Sequence, residues 1–507
     1  MVQKVDKNKR IAKNTIFLYL RMFIMMGVSL YTSRVVLQKL GIDDFGLYNI
    51  VGGVVVLFSI LNSSLASSTQ RFLNFELGKE DSKSANLIFQ CSISLHFVIC
   101  GFLLLLAETV GLWYVNAVLS VPDGRIDAAN IVYQFSVLTF CLNVLRVPFN
   151  ASIIAHEKMN FYAYISIVEA MLKLSVVYLL GIGDFDRLIF YAFLIMLVTC
   201  VVDLGYVIYC VQTFRNIKVK FSWCQEKIKT MLSFSGWNLF GSTAIIAAQQ
   251  GINLVLNYFC GVGVNAAAGI ANQVTQAMYG FITNFQTAFN PQIVKSYAKG
   301  EIQDLYRLIF SASKMSFLLF WLISLPVLFA APYLLRLWLG QVPPHTISFC
   351  RVIIVFLLID AINGPLWMSV NATGKIRNYQ ILMSMILFCN IPIAILMLWL
   401  HYEPETVWFT KVAINLVAMI ARLLYLNRLI SFPLKHYLKK VVFPIVCVVI
   451  FSFIPLILLR HYVNCENFIM LFIDVFTTLI IIFIFGINTR EKKYLYNLIL
   501  ASHQKIS

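Results

Sequence analysis

Charge is scarce in this chain. Only 12% of its 507 residues are Asp, Glu, Lys or Arg, about half the share found in a soluble globular protein. Apolar residues make up 60% of the chain and the mean hydropathy is +0.80. A fold of this size in water has no way to hide so much apolar surface, so a soluble enzyme or binding module is excluded and lipid is the solvent that fits. Acids are the scarcer sign, 23 against 40 bases, which leaves a net charge of +17. That excess does not indicate nucleic acid, because the Lys and Arg residues sit in short polar gaps between apolar runs, as topology signals do.

Other absences remove whole chemistries. No C-x-x-C and no Cys/His cluster occurs, and the 11 cysteines lie mostly inside apolar runs (Cys91, Cys100, Cys141, Cys200, Cys350, Cys389, Cys447). They read as small core hydrophobes rather than a disulfide framework or a metal site, and no cofactor is expected. There is no G-x-x-x-x-G-K-[ST] loop, since Gly374-Lys375 lacks both the upstream glycine and the hydroxyl residue, so P-loop nucleotide hydrolysis is excluded. H-E-x-x-H and G-x-S-x-G are missing too, and His156-Glu157 is expected to be a solvated loop pair. No polar gap holds a soluble domain: the longest on the outer side, from Tyr114 to Ala128, has about 15 residues. The chain therefore reads as one membrane domain and not as an enzyme.

What is present is a series of spans, each near the roughly 20 apolar residues a bilayer requires. They are placed at 14–34, 45–67, 89–113, 130–153, 161–182 and 187–211, then 232–257, 267–289, 308–335, 347–371, 379–400 and 407–427, and finally 441–460 and 467–487. With the N-terminus inside, about 28 Lys and Arg fall in inner gaps and about six in outer ones, a strong positive-inside bias. About fourteen spans, an even number, put both termini in the cytoplasm. The basic start (Lys4, Lys7, Lys9, Arg10, Lys13) resembles a signal peptide, but no A-x-A-like site follows the run from Ile16 to Tyr31. An uncleaved first helix is expected.

A repeat offset by about 220 residues runs through the chain. Gly41 aligns with Gly261, Lys79-Glu80-Asp81 with Lys299-Gly300-Glu301, and Leu87-Ile88-Phe89 with Leu308-Ile309-Phe310 one position further on. Two related six-helix bundles, 1–213 and 214–430, are expected, followed by two extra helices and a tail at 431–507. Transporters use such repeats to build a site between lobes.

Charged residues inside spans are costly and point to pairs or cavities. Arg21, Arg146, Lys173, Lys314 and Arg351 are candidate substrate-binding cations; Glu169, Asp203 and Asp360 are candidate ion-coupling acids. Simpler roles stand beside these: Glu169 and Lys173 are one turn apart and can neutralise each other, Arg21 and Lys411 can snorkel, and Arg146 can satisfy carbonyls freed by Pro148. Asp474 reads as structural. Uncharged amides also recur at helical spacing: Asn238, Ser242, Gln249, Asn253 and Asn257 in one span, Asn272, Gln276, Tyr279, Thr283, Gln286 and Asn290 in the next. Each set falls on one helix face. Such faces either glue helices together or wall a wet cavity. The second is favoured, with Gln249, Asn253, Asn272 and Gln276 as sugar-binding candidates, since amides both donate to and accept from hydroxyls.

The stretch Leu40-Gly41-Ile42-Asp43-Asp44-Phe45-Gly46-Leu47-Tyr48-Asn49-Ile50-Val51-Gly52-Gly53, followed by Leu61-Asn62-Ser63-Ser64-Leu65 and by Gln70-Arg71-Phe72-Leu73-Asn74-Phe75-Glu76-Leu77-Gly78, resembles the polysaccharide-transporter branch of the multidrug/oligosaccharidyl-lipid/polysaccharide (MOP) exporter superfamily. This branch comprises the Wzx-type flippases of O-antigen, lipopolysaccharide and capsule assembly. The resemblance implies an all-α polytopic fold: two six-helix bundles around a V-shaped central cavity, and two C-terminal helices. It implies a flippase that moves undecaprenyl-diphosphate-linked oligosaccharide from the inner to the outer leaflet of a bacterial cytoplasmic (inner) membrane by alternating access. Arg21 is its first-helix match for a cation meeting the diphosphate. Membrane lipid and a glycan polymerase and glycosyltransferases of the same pathway are the expected partners, with one chain working as a monomer. Two alternatives stay open: a cation-coupled multidrug exporter of the same superfamily, for which Asp203 and Asp360 speak, and a membrane glycan polymerase or ligase, against which the short outer loops speak.

Overall fold

A computed structural model describes residues 2–56, 59–117, 124–181, 186–214, 218–462, 468–488 and 492. These residues are helical almost throughout and contain no strand. Lipid leaves little choice, because a spanning segment has to satisfy its own backbone hydrogen bonds.

In chain order the helices are α1 (Val2–Val56), α2 (Ser59–Gly78), α3 (Ser82–Leu106), α4 (Leu112–Ala117), α5 (Ile126–Ala155), α6 (Met159–Leu179), α7 (Arg187–Thr213) and α8 (Gln225–Ala298). There follow α9 (Ile302–Leu339), α10 (Thr346–Thr373), α11 (Arg377–Phe388), α12 (Asn390–Trp399), α13 (Glu405–Ile430), α14 (Leu434–Tyr437), α15 (Phe443–Tyr462) and α16 (Phe468–Ile481). Among the described residues, 12 helical stretches are long and apolar enough to cross a membrane. The expected spans at 45–67 and 267–289 fall in helix but are not among the 12, and residues 57 and 58 of the first lie outside the described set. Both are the segment after a bend, and both are rich in hydroxyl and amide side chains. In α2, Ser64, Ser68, Thr69 and Asn74 are buried, so protein rather than lipid covers its polar groups.

The bends sit at Gly41 (φ 81°, ψ 175°) and Gly261 (φ 80°, ψ −177°), conformations open essentially to glycine alone. They are 220 residues apart, and the same offset recurs at the next turn. Glu80 (φ 61°) and Gly300 (φ 72°) both adopt the left-handed conformation. Around them Lys79, Glu80 and Asp81 donate backbone hydrogen bonds to Phe75, Leu77 and Glu76, just as Lys299, Gly300 and Glu301 donate to Lys295, Tyr297 and Ser296. Asp81 then caps α3 by accepting from Lys83 and Ser84.

The helices form two compact units. Unit 1 comprises Met1–Thr243, Thr287–Glu301 and Asn371–Gln380; unit 2 comprises Ala244–Gln286, Ile302–Val370 and Ile381–Ser507. This division cuts the chain differently from the 1–213, 214–430 and 431–507 partition expected from the repeat. Three short stretches of the second half, all beside basic loops, pack with the first half in unit 1.

Inside unit 1, Leu47, Val51, Val132, Tyr133 and Leu188 are part of one apolar core. A π-helical turn at Ala107–Gly111 joins α3 to α4, and Tyr133 donates its hydroxyl to the Ala107 carbonyl at 2.8 Å. At the start of α5, Arg125 bridges Asp44 (2.5 Å) and Asp186, and Asp186 in turn caps α7 by accepting from Leu188 and Ile189. Burial acts to raise the Asp186 pKa, but the hydrogen bonds from Arg125 and the helix amides outweigh it and the carboxyl titrates below its usual range. Unit 2 has its own apolar core, which includes Leu256, Ala268, Phe349, Ile353 and Trp408.

Candidate functional site

Unit 1 gathers five of the predicted site residues onto four helices. Arg146 on α5 lies 3.2 Å from Asp203 on α7 and 3.8 Å from Glu169 on α6. Glu169 also holds Lys173, one turn along α6, at 2.6 Å. Arg21 on α1 stacks on the Tyr162 ring of α6, 4.4 Å from its centroid, while Arg146 lies 5.5 Å from the ring of Tyr206 on α7. Tyr206 interacts electrostatically with Arg21, Arg146, Tyr162 and Glu169, which ties the group together. Asn143, one turn before Arg146, accepts from its guanidinium at 2.6 Å. That contact makes the Pro148 carbonyls unnecessary as partners. The Glu169–Lys173 pair exists but is one edge of a larger network.

The packing that brings these helices so close is local. A Cβ at Gly205 would come within 3.0 Å of Ile165, so glycine lets α7 approach α6 beside the carboxylates. Three cations face two carboxylates, and the group keeps some access to its surroundings: the Lys173 side chain is 38% exposed and Asp203 13%. The Nε of Arg21 is buried and has no hydrogen-bond acceptor among the described residues. Carboxylates and Asn143 hold Arg146 in a fixed pose and Glu169 holds Lys173, while Arg21 offers charge that the two acids do not consume. An anionic group, phosphate above all, is what such a set of donors binds.

In unit 2 the amides form a chain of hydrogen bonds across the two limbs of α8. Gln249 donates to Asn272 (3.4 Å), Asn272 to Asn253 (3.3 Å), and Asn253 to Gln250 (3.1 Å). Part of the predicted polar stripe is therefore interhelical glue. Gln276 stays exposed, and Gln286 donates to the Ala361 carbonyl at 3.4 Å. Asn238 belongs to unit 1, where it is buried and accepts from Gln380 at 3.1 Å.

Asp360 accepts a hydrogen bond from Tyr279 and lies within electrostatic reach of Arg422 and Lys411. Lys411 rests over the rings of Phe356 (4.8 Å) and Trp408 (5.1 Å), so it is held by aromatic faces and not extended to the surface. Arg422 lies within α13. Of the remaining candidates, Lys314 is buried, at 2% exposed, whereas Arg351 is exposed and donates to the Leu328 carbonyl at 3.1 Å.

The pair His156-Glu157 corrects its expected role. His156 stacks on Phe214 at 4.0 Å. Glu157 is buried and accepts from Gln292 (2.5 Å) and Lys295 (2.8 Å). The corresponding turn after α10, at Gly374, is held by Arg71, which donates to the carbonyls of Asn371 (3.2 Å) and Ala372 (2.9 Å). Lys227–Glu76 (3.3 Å) and Lys299–Glu80 (2.5 Å) add to this junction. Sequence reasoning also missed Asn143, Tyr162, Tyr206 and Arg422. The spacing of Asn143 and Arg146, one helical turn, was the one available signal among these.

Comparison with known proteins agrees with this architecture. The chain matches a multidrug resistance MATE family transporter of the MOP superfamily, solved in an outward-facing conformation, with a TM-score of 0.73 and 16% identity over 84% of this chain and 96% of that one. A MATE structure in a bent conformation gives a TM-score of 0.72 at 17% identity, covering 85% of this chain and 97% of that one. A MOP superfamily transporter from Pyrococcus furiosus, described by a reversed polarity of its binding pocket, gives 0.70 at 16% identity, covering 83% and 96%. No family model matches the chain. Among curated proteins, the uncharacterized membrane protein EpsK of Bacillus subtilis (strain 168) is 22% identical over 325 residues, and the match spans 62% of each chain.

The fold is thus that of a multi-pass membrane transporter. More particularly, it is the fold shared by the MATE transporters matched above.

Proposed function

We propose that this chain is a flippase for an undecaprenyl-diphosphate-linked oligosaccharide, carrying it from the inner to the outer leaflet of a bacterial cytoplasmic membrane for surface polysaccharide synthesis. The observation that carries the reading is the meeting of Arg21, Arg146 and Lys173 within unit 1 against two carboxylates. A diphosphate headgroup needs cations to offset its desolvation in about 30 Å of hydrocarbon, and arginine binds phosphate through paired N–H donors. Glu169 and Asp203 keep Arg146 neutralised and oriented until the headgroup displaces them. The lipid tail remains in the bilayer as the head passes, and an interior-negative potential favours outward movement of an anion by about 2.3 kcal/mol per charge per 100 mV. The positive-inside bias of the loops supports an orientation with both termini in the cytoplasm. Glycosyltransferases of the same pathway supply the substrate and a glycan polymerase consumes it, with a single chain as the working unit.

Charge reversal tests this. Arg21→Glu is expected to abolish surface glycan with the protein still present in the membrane. Normal glycan display from that variant removes Arg21 from the mechanism.

A second reading has its own support. Glu169, Asp203 and Asp360 are acids within predicted spans, and the solved neighbours include a multidrug resistance transporter. A cation-coupled drug exporter would use such acids to bind Na⁺ or H⁺ and attract cationic drugs. Raised efflux of cationic dyes from a sensitive host, lost in Asp203→Asn, would favour that reading over the flippase.

A further inference from the structure

Gln250, Asn253, Leu254 and Asn257, on the first limb of α8, and Gly269 beyond the bend at Gly261 line a cavity of about 330 Å³ in unit 2. That lies toward the lower end of the roughly 300–1,000 Å³ typical of small-ligand sites. Among the described residues, no charged side chain lines it. Three of the five lining residues are primary amides, each carrying two N–H donors and a carbonyl acceptor.

The hydrogen bonds behind the cavity all run in one direction. Gln249 donates to Asn272, Asn272 to Asn253, and Asn253 to the carbonyl of Gln250. Hydrogen bonds in series polarise one another, and this series ends on a lining residue. The amide N–H groups of Gln250 remain to meet a ligand there. Leu254, 70% exposed, adds an apolar surface beside the amides. An anion entering this cavity meets no cation. A purely apolar group leaves the amides unpaired. An uncharged polyol uses both kinds of surface: hydroxyls pair with the amides, and the C–H face of a ring packs on Leu254.

We propose that this cavity seats an uncharged sugar residue of the transported lipid, separately from the phosphate-binding cations of unit 1. The inference rests on the flippase reading above and assigns the carbohydrate part of the substrate to its own residues.

Gly269 provides a test that spares the fold. Its φ is not in the left-handed region, and a Cβ built there meets nothing within 4 Å. Gly269→Met therefore fills the cavity while raising helix propensity. A second variant, Gln250→Leu, removes the terminal amide without filling the space. Full-length protein in lipid nanodiscs would be titrated with two probes: undecaprenyl diphosphate, and the lipid-linked oligosaccharide extracted from the cells that make this chain. The wild-type chain is expected to bind the sugar-bearing lipid at least tenfold more tightly. Gly269→Met should reduce that affinity to the level of bare undecaprenyl diphosphate, Gln250→Leu should reduce it several-fold, and neither should change binding of the bare lipid.

Wild-type affinity for the glycolipid in Gly269→Met overturns the sugar seat. So does equal wild-type affinity for the two lipids, which leaves the phosphate site standing. Binding of neither lipid by the wild-type chain sinks the flippase reading itself, and the sugar seat with it.

Discussion

The polar groups of unit 1 and those of unit 2 face one problem, that of placing polar atoms where a bilayer would surround the helices, and they meet it in different ways. In unit 1 the solution is charge: Arg146 is shared between Asp203 and Glu169, and Glu169 also holds Lys173. In unit 2 the row at the bend of α8 is neutral, an amide series from Gln249 to Gln250. A charge network is expensive to break, because losing one member strands another in a medium that solvates it poorly. An amide row is cheaper to break, and its donors and acceptors are interchangeable, which suits a neutral ligand of varied hydroxyl geometry. The difference teaches where specificity can vary at small cost to stability: in the amides.

The comparison can be broken most forcefully at Arg146. Arg146→Leu strands Asp203 and is expected to cost about 3 kcal/mol, seen as a lower melting temperature in nanodiscs. The double variant Arg146→Leu/Asp203→Leu should recover most of that stability and, on the flippase reading, none of the surface glycan. Recovery of surface glycan would show the network to be purely structural.

A smaller loss is expected at the bend that folds the amide row back on itself. Gly261→Val places a β-branched residue at φ 80°, a cost of about 2–3 kcal/mol. Gly41→Val should behave alike, because Gly41 has the same backbone angles. A benign Gly261→Val would remove the backbone argument for the 220-residue correspondence.

Smaller again is Asn272→Leu, which removes one acceptor and one donor from the series. About 1–2 kcal/mol is expected, with no dependence on salt, because no charge is involved. Salt sensitivity of that variant would contradict the neutral reading of the amide row.

The smallest effect belongs to the Lys299–Glu80 pair, which is solvent-exposed. The hydrogen bond from Lys299 holds the Glu80 carboxyl below its ordinary range, and the same bond raises the Lys299 ammonium. The contribution from Glu80 is therefore complete above its unfolded pKa and lost as pH falls through the depressed folded value. That from Lys299 is complete below its unfolded pKa and lost as pH rises through the raised one. Melting of Lys299→Met against wild type should show a small gap at neutral pH that closes in acid and narrows with added salt. A gap that persists in acid would mean that Glu80 is not the partner that matters.

Much of this was legible in the chain because it depends on local rules. The helical plan follows from apolar runs; Gly41 and Gly261 were legible as matching positions of the repeat, and the structure adds that the chain bends at both. The grouping of Arg146 with Glu169 and Asp203 was legible only as three costly residues needing partners; nothing in their spacing named the partners, which lie on three helices. Lys411 read as a snorkelling residue because its aromatic seat is made by Phe356 on α10 and Trp408 on α13. His156-Glu157 read as solvated because the residues that bury Glu157, Gln292 and Lys295, lie more than a hundred positions away.

The sequence by itself determined that this chain lives in a membrane, that it crosses many times as helices, and that polar residues recur on chosen faces. These outcomes follow from hydrophobicity and backbone satisfaction, which act over a single helix. Which charges neutralise one another, which amides are spent on each other and which stay open toward a cavity were decided only by tertiary packing, because a hydrogen bond or an ion pair depends on distances of a few ångströms between helices that are far apart along the chain.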